Sequence, residues 1–139
     1  MQQEIRFAGY GPTLVRVALG SALIAHALLK IFVFTMPGTM AFFASQGFPG
    51  WTAYPVTAIE VAGGAALILG WHARLAALIV LPGLLGALSV HAGNGWVFTS
   101  PKGGWEYPLF LVVSAAAVAL QGAGACALGR NSADHREHR

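Results

Sequence analysis

The sequence predicts an all-α integral membrane protein, a bundle of four spanning helices with N- and C-termini cytoplasmic. Three observations predict it. Of the 139 residues, 56% are hydrophobic and only 9% charged, with a mean hydropathy of +0.64. Soluble domains carry about 25% charged residues, so this chain lacks the groups to build a solvated surface. Four apolar segments, about 13–34, 54–71, 74–92 and 107–128, approach the roughly 20 residues that a helix needs to cross a bilayer core. Lysine and arginine are also distributed unequally between the two sets of loops, which sets the orientation.

The first segment contains LVRVALGSALIAHALLKIFVF, residues 14–34. Pro12 suits the first turn of a helix, because its fixed φ is helical and its missing donor is not needed there. Pro37-Gly38 is expected to end the span. Basic residues precede it, as in a secretory leader, but the apolar run is too long and no A-x-A-like site follows, so it reads as a retained span. The second segment follows Trp51-Thr52-Ala53-Tyr54-Pro55 and stops near Gly70-Trp71. The connection around His72 to Arg74 is short enough to force an antiparallel hairpin with the third. Pro82 is expected to kink that third helix, which neighbouring helices tolerate in a membrane. The fourth opens at Glu106-Tyr107-Pro108 and fades into GAGACALGR. Residues 1–128 form one domain, and 129–139 a charged, flexible tail.

Arg6, Arg74, Arg130, Arg136 and Arg139 lie at one set of span ends, whereas loops 35–53 and 93–105 hold only Lys102. Cytoplasmic loops carry the excess of Lys and Arg, which puts both termini inside and both long loops outside. Trp51, Tyr54, Trp96, Trp105 and Tyr107 then gather at the outer interface. The net charge of +3 is scattered, and no basic run or aromatic-interleaved patch points to nucleic acid. Cys126 is the single cysteine, which excludes an intrachain disulfide and any iron–sulfur or Cys-based metal site.

Ionisable residues inside the spans are the functional candidates, since a charge at mid-bilayer costs about 2.5 kcal/mol or more and normally faces a bundle interior. At a rise of about 1.5 Å per residue, Lys30 lies one turn below the outer end of its helix and His26 one turn deeper. Glu60 sits two turns below the same surface. His91 closes the third helix and Glu106 opens the fourth. Five ionisable groups from four helices thus converge on the outer half. Stripes support this: Arg16, Leu23 and Lys30 recur at seven, with His26 four before Lys30, and Glu60 shares a face with Gly64 and Leu67. Two acids against one lysine and two histidines nearly balance. The blander assignments are that Arg16 and Lys30 snorkel to headgroups, that His26 bonds a backbone carbonyl, and that His91 and Glu106 are interfacial.

These residues resemble the DoxX/DoxD-like family of small bacterial membrane proteins. The likeness covers about 14–128 and rests on RVALG, HALLK, GFPGW, EVAGGAALILGW, HAGNGW and GWEYPLFL in that order. The chain departs from the family at Ala27, often glycine there, and at Gly129, where an acid is usual. The resemblance implies a four-helix bundle in the bacterial cytoplasmic (inner) membrane. It also implies a link to redox systems, since described members include a subunit of an archaeal thiosulfate:quinone oxidoreductase and a mycobacterial subunit that works with redox enzymes.

Three functions follow from these residues. One is a redox component, an oxidoreductase or a subunit of one, whose outer polar pocket binds a quinone headgroup or small redox substrate. His26, Lys30, Glu60 and His91 would be catalytic, and Glu106 would complete the binding set. No flavin, nicotinamide or iron–sulfur motif is present, so electrons would come from a partner protein or from the substrate. The second is a haem or metal site on His26 and His91. The third is a carrier or scaffold, as a homodimer or within a larger complex, that performs no chemistry.

Overall fold

A computed structural model describes residues 7–129. Helix α1 (Tyr10–Leu28) runs without a break into one π-helical turn, Leu29–Val33. Helix α2 (Met36–Ser45) and a 3₁₀ turn, Gly50–Thr52, lead into α3 (Ala53–Leu69). Helix α4 (Ala73–His91) and α5 (Glu106–Gln121) complete the chain, and no strand occurs among the described residues. Three helical stretches, Tyr10–Val33, Gly50–Leu69 and Ala73–His91, are long and apolar enough to cross a membrane; Glu106–Gln121 is apolar but shorter.

Two boundaries differ from the sequence expectation. Pro37-Gly38 does not terminate the first span. Thr35, at φ 62°, breaks the chain before them, and Pro37 then opens α2. The Thr35 hydroxyl accepts from the Gly38 amide at 3.4 Å, and its carbonyl accepts from the Thr39 amide and hydroxyl, each at 2.9 Å. A proline one or two positions after a threonine cap is a helix start. The second difference is that α5 stops at Gln121 and not near 128. Gly122 and Gly124 take φ of 85° and 67°, which glycine adopts without steric cost. At about 24 Å, α5 falls short of a ~30 Å hydrocarbon core, and residues 122–128 fold back beneath the other helices. Of the proposed tail, 130–139 lies outside the described residues. Helix α4 continues unbroken through Pro82.

Helices α1 and α3 cross at a pair of glycines. A β-carbon on Gly20 would come 2.6 Å from the Gly64 carbonyl oxygen, and one on Gly64 would come 2.8 Å from that of Gly20. Small residues let backbones approach this closely where no hydrophobic effect drives helices together. The buried face of α1 continues through Leu19, Leu23 and Ala27, and Leu19 and Leu23 share one core cluster with Leu67, Ala77, Val80, Leu84, Leu111, Ala115 and Val118. Phe32, Phe110 and Leu120 point outward, as lipid-facing side chains do.

Candidate functional site

Lysine side chains on a helix lean toward its N-terminus, so Lys30, above the glycine crossing on α1, reaches down toward the level of Glu60 on α3. The Lys30 ammonium donates to Glu60 Oε1 and forms an ion pair there. Both side chains are largely buried, at 18% and 15% exposure, which rules out a lysine extended to headgroup water. Glu60 Oε2 is buried with no hydrogen-bond partner among the described residues. The pair therefore neutralises two charges across two helices and leaves one carboxylate acceptor unspent.

The backbone carrying Lys30 is unusual. Leu29–Val33 is π-helical, closed by the Phe34 amide on the Leu29 carbonyl at 2.9 Å. Such turns arise mostly as single insertions within α-helices and recur at functional sites. Buried Thr39 of α2 donates to the Lys30 carbonyl at 3.3 Å, tying α2 to this turn. Loop 35–53 is thus partly a helix packed on the Lys30 end of the bundle, a feature its composition did not reveal.

His26 lies four residues before Lys30 and meets α5. Its Nε2 is 3.4 Å from the Tyr107 hydroxyl, with ring centroids 5.6 Å apart. Its contact is a tyrosine hydroxyl and not the backbone carbonyl of the blander assignment. His91 does take a carbonyl: its Nδ1 lies 2.8 Å from that of Ala87. A carbonyl can only accept, so Nδ1 carries the proton and Nε2 keeps its lone pair when the ring is neutral. That imidazole edge packs against Gly103, where an added β-carbon would come 3.2 Å from Cδ2. Glu106 Oε1 accepts from the Phe98 amide at 2.7 Å, while its own amide donates to the Trp96 carbonyl at 3.1 Å. Glu106 therefore fastens the loop before α5. Among the described residues the five candidates form a bonded pair (Lys30–Glu60), a His26–Tyr107 contact, and two separately engaged residues, His91 and Glu106.

Two cavities flank this region. A groove of about 650 Å³ is lined by Trp96, Phe98, Glu106, Tyr107, Leu109 and Phe110. A second, of about 430 Å³, lies between α2 and the end of α4, lined by Phe42, Ser45, Gln46, Val90, Asn94 and Lys102. No group of three His, Cys, Asp or Glu side chains comes together among the described residues.

At the opposite end, Arg16 is 1% exposed and does not snorkel. Its Nε donates to Ala123 O at 2.6 Å, Nη1 to Leu67 O and Ile68 O at 2.7 and 2.6 Å, and Nη2 to Ala125 O and Cys126 O at 3.1 and 2.8 Å. A guanidinium has five N–H groups, and all five are used on carbonyls. The last four carbonyls of a helix lack intrahelical donors. Those of α3 are all satisfied: Ala66 by the Trp71 amide, Leu67 and Ile68 by Arg16, and Leu69 by the Leu128 amide. The negative end of the α3 dipole also favours a cation here. Arg16 thus anchors α1, α3 and the segment after α5, and it has no donor left for a ligand.

A family model described as DoxX matches residues 11–93. A Bacillus subtilis (strain 168) protein named "Putative oxidoreductase CatD" is 36% identical over 78 residues, 56% of this chain and 57% of that protein. The chain thus spans less than two thirds of this curated relative. No solved structure matches. The matched interval contains Arg16, His26, Lys30, Glu60 and His91.

Proposed function

This chain belongs to the DoxX family, and on that premise we propose that it is the membrane component of a redox system. It spans the bacterial inner membrane with four helices, both termini cytoplasmic and Lys102 outside; the short α5 reaches the inner side through residues 122–128, where the Ala125 amide bonds the Gly9 carbonyl at the start of α1. Its polar cluster in the outer half of the bundle binds the headgroup of a quinone or a small redox substrate. The observation that carries this is the Lys30–Glu60 pair, held within the helices, with Glu60 Oε2 unspent and His26 one turn away on Tyr107. Intramembrane ionisable residues of this kind are functional by default, since they cost free energy that lipid does not return. The oxidoreductase name of the B. subtilis relative supports the same class of chemistry.

In this mechanism the Lys30 ammonium and a protonated histidine stabilise negative charge developing on a quinone oxygen. Glu60 and His26 carry the protons that accompany two electrons to quinol. The electrons come from a redox partner protein or from the substrate itself. His91, whose Nδ1 is engaged by the Ala87 carbonyl, is a third, more distant proton carrier. An organic headgroup suits these residues better than an ion: Lys30 stands within the cluster as a cation, and the two histidines are engaged with different partners.

The test is titration of the purified protein with a short-chain quinone, followed by tryptophan emission. Saturable quenching is expected, with His26→Ala and Glu60→Gln each weakening affinity severalfold. Unchanged affinity in both variants would end the proposal.

A further inference from the structure

The groove before and along α5 has a wall built in advance. Trp96 packs edge-on against Trp105, with centroids 4.4 Å apart. The Trp105 amide donates to Gly95 O at 3.0 Å, and the Glu106 amide and carboxylate hold Trp96 and Phe98 from both sides. The groove measures about 650 Å³ and is open along one side. Four of its six lining residues, Trp96, Phe98, Tyr107 and Phe110, present aromatic rings. Tyr107 belongs both to this lining and to the His26 contact.

We propose that this groove holds the apolar body of a neutral, membrane-dissolved ring compound with a prenyl-type tail, and that Tyr107 is a further residue contacting its headgroup. This rests on the headgroup site proposed above. Side-chain contacts link the two regions: Tyr107 of the groove touches His26, and Lys30, four residues on, pairs with Glu60 across the helix interface. Charge selects the occupant. The lining carries one carboxylate, Glu106, and no lysine or arginine, so a phospholipid's anionic phosphate finds no partner there. A neutral ring with hydrogen-bonding oxygens finds the Tyr107 hydroxyl at one end and offset or edge-on aromatic partners along its length. Tyr107 was assigned from sequence only to the interfacial aromatic group, because its link to His26 spans 81 residues.

The experiment compares two probes on the full chain in detergent micelles: a quinone ring without a tail, and the same ring with a short prenyl tail. With affinities compared at equal probe-to-detergent ratio, wild type binds the tailed probe tighter by severalfold, because the fixed aromatic lining packs the tail more closely than fluid detergent chains do. Tyr107→Phe keeps the ring but weakens both probes severalfold. Phe110→Ala, at an exposed side chain that folding does not need, weakens only the tailed probe. Loss of affinity in Glu60→Gln alone, with Tyr107→Phe and Phe110→Ala at wild-type affinity, overturns the groove and leaves the headgroup site standing. The converse pattern sustains the groove and removes the headgroup site. Equal affinity of both probes for wild type, or retention of an anionic phospholipid that Phe110→Ala releases, overturns the proposal.

Discussion

Replacing Arg16 with lysine keeps the charge and removes the geometry. The guanidinium satisfies five carbonyls with five donors, whereas an ammonium has three. Leu67 O keeps the Gly70 amide and Ala125 O keeps the Thr13 hydroxyl, so the carbonyls of Ala123, Ile68 and Cys126 depend on Arg16 alone. A compact ammonium does not reach all three positions of the guanidinium fork, and one or two left without a donor, at about 1–3 kcal/mol each, cost roughly 1–6 kcal/mol. Interhelical hydrogen bonds in membranes average nearer 0.6 kcal/mol, because the unfolded state in lipid also finds partners. The expected loss therefore sits near the low end, about 2 kcal/mol. Arg16→Met should cost more, since the Ala123, Ile68 and Cys126 carbonyls all lose their donor. Unfolding by a denaturing detergent, followed by tryptophan emission, measures it. An Arg16→Lys variant within about 0.5 kcal/mol of wild type, as at an ordinary surface site, would refute the cage as a determinant of stability.

Three further outcomes follow from the same structure. Gly64→Ala would press a methyl group onto the Gly20 carbonyl at 2.8 Å, so it should destabilise the bundle, whereas Gly83→Ala meets nothing within 4 Å and should be neutral or stabilising by about 0.5–1 kcal/mol; parallel detergent denaturation of both decides it. Glu60→Ala should cost more than Glu60→Gln, near the 3–5 kcal/mol typical of breaking a buried pair, and Lys30→Met should restore part of that loss in the double variant. In intact cells, a cysteine at Lys102 in a Cys126→Ser background should react with an impermeant thiol reagent and one at Arg74 should not; the reverse pattern overturns the proposed orientation.

Much of the helical plan is legible in the sequence because hydropathy and turn residues are local signals. The hairpin at His72, the proline-led start of α1 and the Glu106 opening of α5 all follow from residues within a turn of the boundary. That Glu60 would meet a basic group of the first span was also legible, since opposite charges in apolar segments have few ways to avoid each other; that the partner is Lys30 and not His26 was not. What escaped depends on distant backbone. Arg16 is bound by carbonyls, which every residue possesses, so no acidic partner marks its site in the sequence. The π-helical turn at Leu29–Val33 leaves no compositional trace. Pro37 carries the same local signal whether it stops one helix or starts the next, and Thr35 decides between them through a positive φ. Glu106 was legible as an intramembrane acid, but its bond to the Phe98 amide belongs to a loop whose shape the sequence does not specify.

The central claim is that the cluster around Lys30 and Glu60 binds the headgroup of a redox-active lipid-soluble molecule. The most direct measurement is organic extraction of protein purified from native membranes, with mass spectrometry of the extract, for wild type and Glu60→Gln side by side. Wild type should retain a quinone at near one per chain, well above its proportion in the co-purified lipid, and Glu60→Gln should retain severalfold less. Equal quinone content in the two proteins, at the level of the surrounding lipid, would contradict the claim.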